Sequence, residues 1–258
     1  MGTFLFDDII FGPVSSRRLG ASLGINLLPA GRKFCNFNCI YCECGWSGSE
    51  GSSPRLPARD EIRKRLEKKL LEIHDTHSQL DMITFAGNGE PTLHPDFPGV
   101  IDDTIALRDR HAAGVPIAVL SNASRIDRPE IFRALGKIEK NILKLDSAFE
   151  ATVRMINRPP HDYSISKVID GMARYEGRFI LQTLFLRGEM NGRTVDNATP
   201  EEISAWLEVV ARVKPSQVMI YTIARDTPVD TLRKLPTGEL KAIARQVEQL
   251  GIATQVSG

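Results

Sequence analysis

Short apolar runs alternate with amphipathic stretches along the whole chain. Residues 22–28, 82–86, 116–121, 141–145, 178–186 and 217–223 are largely apolar and predict strands, with a further short strand at 252–256. Between them the period changes. Ile62, Leu66, Leu70 and Ile73 recur at helical spacing within 58–73, with charged residues opposite. Further helices are predicted over about 95–113, 129–135, 149–156, 165–175, 200–213 and 238–250. Glu201 and Glu202 open the 200–213 helix, where acidic side chains suit the dipole. Ahead of the first strand, residues 3–13 read as a strand or hairpin packed on the main body, and Gly and Pro punctuate 11–20 as a loop. A second loop, 45–57, is rich in Gly, Ser and Pro and predicts an exposed segment.

This alternation predicts an α/β fold with a parallel sheet. Six strands and a short seventh fall below the eight of a closed barrel. An open partial barrel of (β/α)6 type and a flat doubly wound sheet both fit the pattern. Neither an internal repeat nor an interdomain linker is visible, so the 258 residues read as one domain, with an N-terminal extension over 1–20 and the main body over 21–258. A hydrophobic content of 42% and a charged content of 25% are those of an ordinary globular protein. No apolar run is long enough to cross a bilayer, which argues against a membrane partner. The formal net charge of +1 offers no global attraction for nucleic acid and leaves only a local basic patch as a route to it.

The cysteines change the picture. All four lie in Cys35-Asn-Phe-Asn-Cys39-Ile-Tyr41-Cys42-Glu-Cys44, and Cys35, Cys39 and Cys42 stand at C-x3-C-x2-C spacing. Such a loop can wrap three thiolates round three corners of an iron–sulfur cube and leave one iron open to a ligand. The competing reading is a structural zinc site in a non-enzymatic interaction protein, with Cys44 or the pair His74 and His77 completing the set. Cys44 follows Cys42 too closely for an easy tetrahedron, and the histidine spacing is short. Disulfides fit poorly, because no secretory segment is visible and adjacent loop cysteines would bridge little; a reducing cytoplasm is the expected location.

Polar and glycine residues gather where predicted strands end, which is where parallel barrels place their chemistry. Gly87-Asn88-Gly89-Glu90 follows the second strand, Ser121-Asn122-Ala-Ser124 the third and Lys144-Leu-Asp146 the fourth. Strand alternation puts Lys144 and Asp146 on one face, as a mutual ion pair or as ligand-binding groups. Gln182 and Tyr221 interrupt the apolar fifth and sixth strands. Arg17, Arg18, Arg32 and Lys33 flank this face as a phosphate grip or as a solvated edge.

The cysteine spacing and the Gly87–Glu90 turn resemble those of the radical S-adenosylmethionine (SAM) superfamily. Phe11-Gly-Pro-Val-Ser-Ser-Arg-Arg-Leu-Gly, Lys144-Leu-Asp146 and Ile156-Asn-Arg158-Pro narrow the resemblance to its short single-cluster group, which is similar to the wyosine-base tRNA enzymes. The resemblance selects the partial (β/α)6 TIM-like barrel. It implies an oxidoreductase whose [4Fe–4S] cluster, held by Cys35, Cys39 and Cys42, cleaves SAM reductively to a 5′-deoxyadenosyl radical. That radical would abstract hydrogen from a small molecule, peptide or RNA base. It also implies that Glu90 and the backbone of Gly87, Asn88 and Gly89 meet the SAM amino group, Lys144 its carboxylate and Tyr41 its adenine. Asn122, Asp146, Gln182 and Tyr221 complete the expected cofactor site, and a flavodoxin or ferredoxin is the expected electron donor. The group's tRNA enzymes carry extra domains, which a single-domain chain of this kind is expected to lack.

Overall fold

The computed structural model describes residues 4–16, 19–48 and 55–258. In chain order its first half comprises β1 (Ile10–Ser16), β2 (Gly20–Ile25), α1 (Arg59–Asp75), β3 (Met82–Phe85), α2 (Phe97–His111), β4 (Ile117–Ser121), α3 (Pro129–Leu135) and β5 (Lys140–Lys144). There follow α4 (Glu150–Ile156), α5 (Ile165–Ala173), β6 (Ile180–Leu184), β7 (Leu186–Met190), β8 (Arg193–Asp196), α6 (Pro200–Val213), β9 (Gln217–Tyr221), β10 (Arg233–Lys234), α7 (Thr237–Glu248) and β11 (Ala253–Ser257).

The main sheet runs in the order β1-β2-β3-β4-β5-β6-β9-β11. From β2 to β11 every pairing is parallel, while β1 lies antiparallel on β2 at one edge. The sheet therefore stays open, as a partial barrel does, and the short C-terminal run is a full member of it. Register divides the strand residues into two sets. Leu23, Ile25, Ile83, Phe85, Ile117, Val119, Leu143, Leu181, Val218 and Ile220 pack with the apolar stripes of the helices into the principal core. Their alternates Met82, Ala118, Ile142, Ile180 and Met219 form a separate small cluster on the opposite face. Strands covered on both faces have no polar side to display, hence their near-continuous apolar runs.

Two expectations need correction. The stretch 11–20 is not a loop throughout, because β1 occupies its first part. Phe11 faces Gly24 across the pair, and a Cβ there would fall 2.1 Å from the Phe11 ring, so the glycine makes room for the aromatic side chain. The single strand expected over 178–186 is in fact the end of one sheet and the start of another. The chain leaves the main sheet after Leu184, and β7, paired with β8 and β10, forms a separate antiparallel sheet. An apolar run carries no mark of where it changes partners. The switch is held by Asn197, which accepts from Leu186 N at 2.9 Å and donates to Leu184 O and Asp146 O, both at 2.7 Å.

Asn197 is buried, so removing its amide leaves backbone groups without partners. Asn197→Ala is expected to lower folding stability by about 1–3 kcal/mol for the first such group, read as a lower urea midpoint at unchanged slope. An unchanged midpoint would show that the switch is held by other contacts.

Candidate active site

The cysteine loop lies across the ends of β3 and β5 and is pinned by backbone on two sides. Phe34 forms a parallel bridge with Gly89, donating to Asn88 O at 2.7 Å and accepting from Glu90 N at 3.3 Å. On the other side Asn38 N donates to Asn157 O at 3.0 Å and Ile40 N to Ile156 O at 2.9 Å, just where α4 ends. Glycine is required in the turn. Gly89 has φ +146°, and a Cβ there would sit 1.9 Å from Phe34 O. Gly87 has φ +153°, and a Cβ would collide with the Asn26 amide, which accepts from Asn88 N at 3.2 Å.

N–H donors from separate elements reach the sulfurs. Phe37 N donates to Cys35 Sγ at 3.3 Å and Asn157 Nδ2 to Cys39 Sγ at 3.5 Å, while Asn122 Nδ2 stands 3.8 Å from Cys35 Sγ. Burial pushes the Cys35 thiol up to about 12, with Glu90 adding to the effect. Burial raises Cys39 as well, against the pull of Lys144. Cys42 goes the other way. The Cys44 thiol hydrogen-bonds it and holds it down at about 5, against its burial, and the same contact pushes Cys44 up. Cys44 Sγ also donates to Gly87 O at 3.6 Å. Among the described residues no group of three or more His, Cys, Asp or Glu side chains is set to hold a single metal ion. A cube takes its thiolates one per iron, and three thiols on one loop, met by N–H donors, are of the kind that holds one.

The residues expected to bind a cofactor fall into two groups. Tyr41, Lys144 and Tyr221 line a cleft of about 280 Å³ together with Cys42, Cys44 and Arg225. Lys144 and Asp146 share a face, as alternation requires, and pair with each other at 3.3 Å. The Tyr41 hydroxyl donates to Asp146 and accepts from Lys144, whose ammonium lies 4.4 Å from the centre of the tyrosine ring. Asp146 also accepts from Asn157 Nδ2 at 2.6 Å and Leu184 N at 3.0 Å. Burial works against the Lys144 charge, but Asp146 together with Tyr221 and Cys39 outweighs it, so this ammonium holds its proton more tightly than an ordinary lysine. Gln182 pairs in register between Lys144 and Met219, with its Nε2 buried and without a partner.

The second group lies under Cys35. Here Glu90 is 2% exposed and its carboxylate is fully engaged by the chain itself. It accepts from Asn122 N at 2.7 Å, Ser121 Oγ at 2.8 Å, Thr92 N at 3.2 Å and Thr92 Oγ1 at 2.5 Å. Burial raises its pKa, and these donors act against the rise. Glu90 thus braces the end of β4 instead of facing the cleft, as the sequence led us to expect. The Asn88 side chain also points away: it bonds Phe6 N, Phe6 O and Pro29 O, each at 2.8 Å. Among the basic residues, Lys33 is buried and donates to Gly45 O at 2.9 Å, and Arg32 has a partner in the chain. Arg17, Arg18 and residues 49–54 lie outside the described residues.

Asn157 is the residue that sequence reasoning missed as a site residue. It touches Cys39, Tyr41 and Asp146 at once. Its one signal was its place after a short helix in Ile156-Asn-Arg158-Pro.

The divergence between the cysteines is measurable in the metal-free chain. Between pH 6 and 8 the Cys42 sulfur, held down at about 5, is a thiolate, while Cys35, pushed up to about 12, remains a thiol. Limiting iodoacetamide is expected to label Cys42 first, by peptide mass mapping, with labelling that declines as pH falls through 5. Preferential labelling of Cys35 would contradict the assignment.

The radical SAM superfamily model matches residues 32–196, which include the cysteine loop, the Gly87–Glu90 turn, Lys144, Asp146, Asn157 and Gln182. Among curated relatives, the chain is 29% identical over 244 residues to a protein named GTPase Obg of Brachyspira hyodysenteriae, covering 93% of this chain and 33% of that one. It is 32% identical over 222 residues to a UPF0026 protein of Methanocaldococcus jannaschii, covering 84% of this chain and 64% of that one. The chain thus spans one third to about two thirds of the length of these relatives. Among solved structures, a radical SAM methyltransferase from Sphaerobacter thermophilus superposes with TM-score 0.67 at 13% identity, covering 92% of this chain and 65% of that one. TYW1 with a lysine-pyruvate adduct bound superposes with TM-score 0.62 at 16% identity, covering 88% and 73%. The fold is that of the partial barrel common to these structures, and the chain belongs to the radical SAM superfamily of enzymes.

Proposed function

We propose that Cys35, Cys39 and Cys42 hold a [4Fe–4S] cluster and that SAM occupies the cleft walled by Cys42, Tyr41, Lys144 and Tyr221. One observation carries this reading: of three thiols on a single loop, each buried or half-buried, Cys42 lines a cleft with the half-buried Lys144 ammonium in its wall. When bound, the cluster supplies the electron that cleaves SAM to the 5′-deoxyadenosyl radical, which abstracts hydrogen from a substrate.

The chain's own residues do the rest. Lys144 presents a positive charge suited to the SAM carboxylate. Asp146 and Tyr41 hold it in place, and the tyrosine ring backs the cleft where an adenine can lie. Gly87 O, already an acceptor toward Cys44, is a backbone acceptor for the SAM amino group. Glu90 acts at one remove, by fixing Asn122 and the β4 end beneath Cys35. Gln182 Nε2 is a donor still to be satisfied and suits a ligand oxygen. Asn157 keeps Cys39 and Asp146 in register. A flavodoxin or ferredoxin fits as electron donor, and the cytoplasm as location.

Anaerobic reconstitution is expected to load about four irons per chain. Cys35→Ala, Cys39→Ala and Cys42→Ala should each abolish loading, and Cys44→Ala should spare it. Equal loss in Cys44→Ala would overturn the ligand assignment. The dithionite-reduced, loaded protein should convert SAM to 5′-deoxyadenosine, followed by liquid chromatography against Cys39→Ala. No product above that control would remove the reading.

Two variants test the division of labour. Lys144→Met should weaken SAM binding by about 1.5–3 kcal/mol with iron retained, the worth of a hydrogen bond to a charged group. Glu90→Gln should act mainly on stability, since its carboxylate serves protein donors. A loss of SAM affinity larger in Glu90→Gln than in Lys144→Met, at equal iron content, would reverse these roles.

A further inference from the structure

A second hollow, of about 340 Å³, opens beside the cysteine loop between the β4–α3 connection and the α4–α5 connection. Its walls carry Arg125, Arg128 and Lys167, with Asn36 and Ser124 on the side shared with the thiols. We propose that this hollow binds a phosphate group of the substrate, with Arg125 as its anchor and Arg128 and Lys167 as flanking charges.

Arg125 Nε is buried and has no hydrogen-bond partner. Among the described residues, neither Arg128 nor Lys167 holds a carboxylate or any side-chain hydrogen bond. Other arginines of the chain that are partly shielded, Arg59, Arg108, Arg154 and Arg187, do meet a carboxylate. Asp127 and Asp162 also line the hollow, and Glu90 and Glu130 act on Arg125 from nearby, yet none of these carboxylates accepts a hydrogen bond from it. Burial, then the neighbouring Arg128 charge, lowers the Arg125 pKa, with Glu90, Glu130 and Asp127 acting against the fall. A buried guanidinium nitrogen without an acceptor is costly, and a phosphate offers oxygens that match the guanidinium fork.

Its location ties the hollow to the chemistry. Asn36, the residue after Cys35, donates to Ser124 Oγ at 2.8 Å and accepts from Asn122 Nδ2 at 2.9 Å. A phosphate held there sits on the far side of that hydrogen-bonded wall from Cys35. The assignment to a substrate phosphate rests on the proposed function; the affinity for phosphate does not. The same oxyanion chemistry is presented by the monoester of a small nucleotide and by the diester backbone of RNA.

The test is isothermal titration of reconstituted protein with inorganic phosphate, uridine 5′-monophosphate and a short single-stranded RNA, with iron measured in every sample. Saturable binding is expected for at least one probe, weakened about tenfold or more in Arg125→Gln. Arg128→Gln and Lys167→Gln, both exposed positions, should weaken it as well, and they stand in should Arg125→Gln fail to fold. Arg133→Gln, on the exposed side of α3, should leave it unchanged. Tighter mononucleotide binding supports a small phosphomonoester, and tighter RNA binding supports a phosphodiester. Absence of saturable binding, or binding indifferent to Arg125, Arg128 and Lys167, overturns the proposal. Iron content reports separately on the cluster, so either reading can fail alone.

Discussion

The site depends on how closely two backbones approach where Phe34 meets the Gly87–Glu90 turn. The turn follows β3 directly and is therefore as rigid as the sheet behind it, while the cysteine loop has no secondary structure of its own to rely on. The parallel bridge between Phe34 and Gly89 lends that rigidity to the loop. It forms only because position 89 carries no side chain. The glycine–glutamate turn is then a docking edge for the thiol-bearing loop.

Buried charge organises the opposite half of the site. Asp146 is almost wholly enclosed, and a carboxylate there needs donors on every side. It collects them from Tyr41, Asn157, Lys144 and the backbone of Leu184, so the cysteine loop, α4, β5 and β6 are tied at one atom group. Such a network is hard to satisfy partly, since losing any donor strands a charge at low dielectric. Glu90 plays the same part under Cys35 with neutral donors only. Two buried carboxylates thus brace two sides of one loop, and both are far better placed to shape the site than to enter reactions.

The small sheet of β7, β8 and β10 shows how such a brace propagates. Asn197 binds the backbone at Leu184, Leu186 and Asp146, and so couples the place where the chain changes sheets to the carboxylate that holds Lys144. Arg187 reinforces the hairpin through Asp196 at 3.0 Å and ties it to Glu239 on α7 at 2.8 Å.

Much of this was legible in the residues alone, because it follows from period and spacing. Parallel strands buried on both faces write near-continuous apolar runs, so the strand–helix alternation and the main boundaries could be read directly. The C-x3-C-x2-C loop and the polar residues at strand ends are local patterns too, as is the shared face of Lys144 and Asp146. What could not be read depends on partners distant in sequence. The 178–186 run gives no sign that it divides between two sheets, since both halves are apolar. Glu90 looked like a ligand-facing carboxylate until Ser121 and Asn122, brought alongside by β3–β4 pairing, took up its lone pairs. Asn88 turned toward Phe6 and Pro29, and Arg125 Nε was left buried without an acceptor only once α4 and α5 closed its hollow. The sequence by itself determined which elements form and where their polar residues gather. Tertiary structure decided which of those residues satisfy one another and which are left facing a ligand, because hydrogen-bond satisfaction is a property of neighbours in space and periodicity does not encode it.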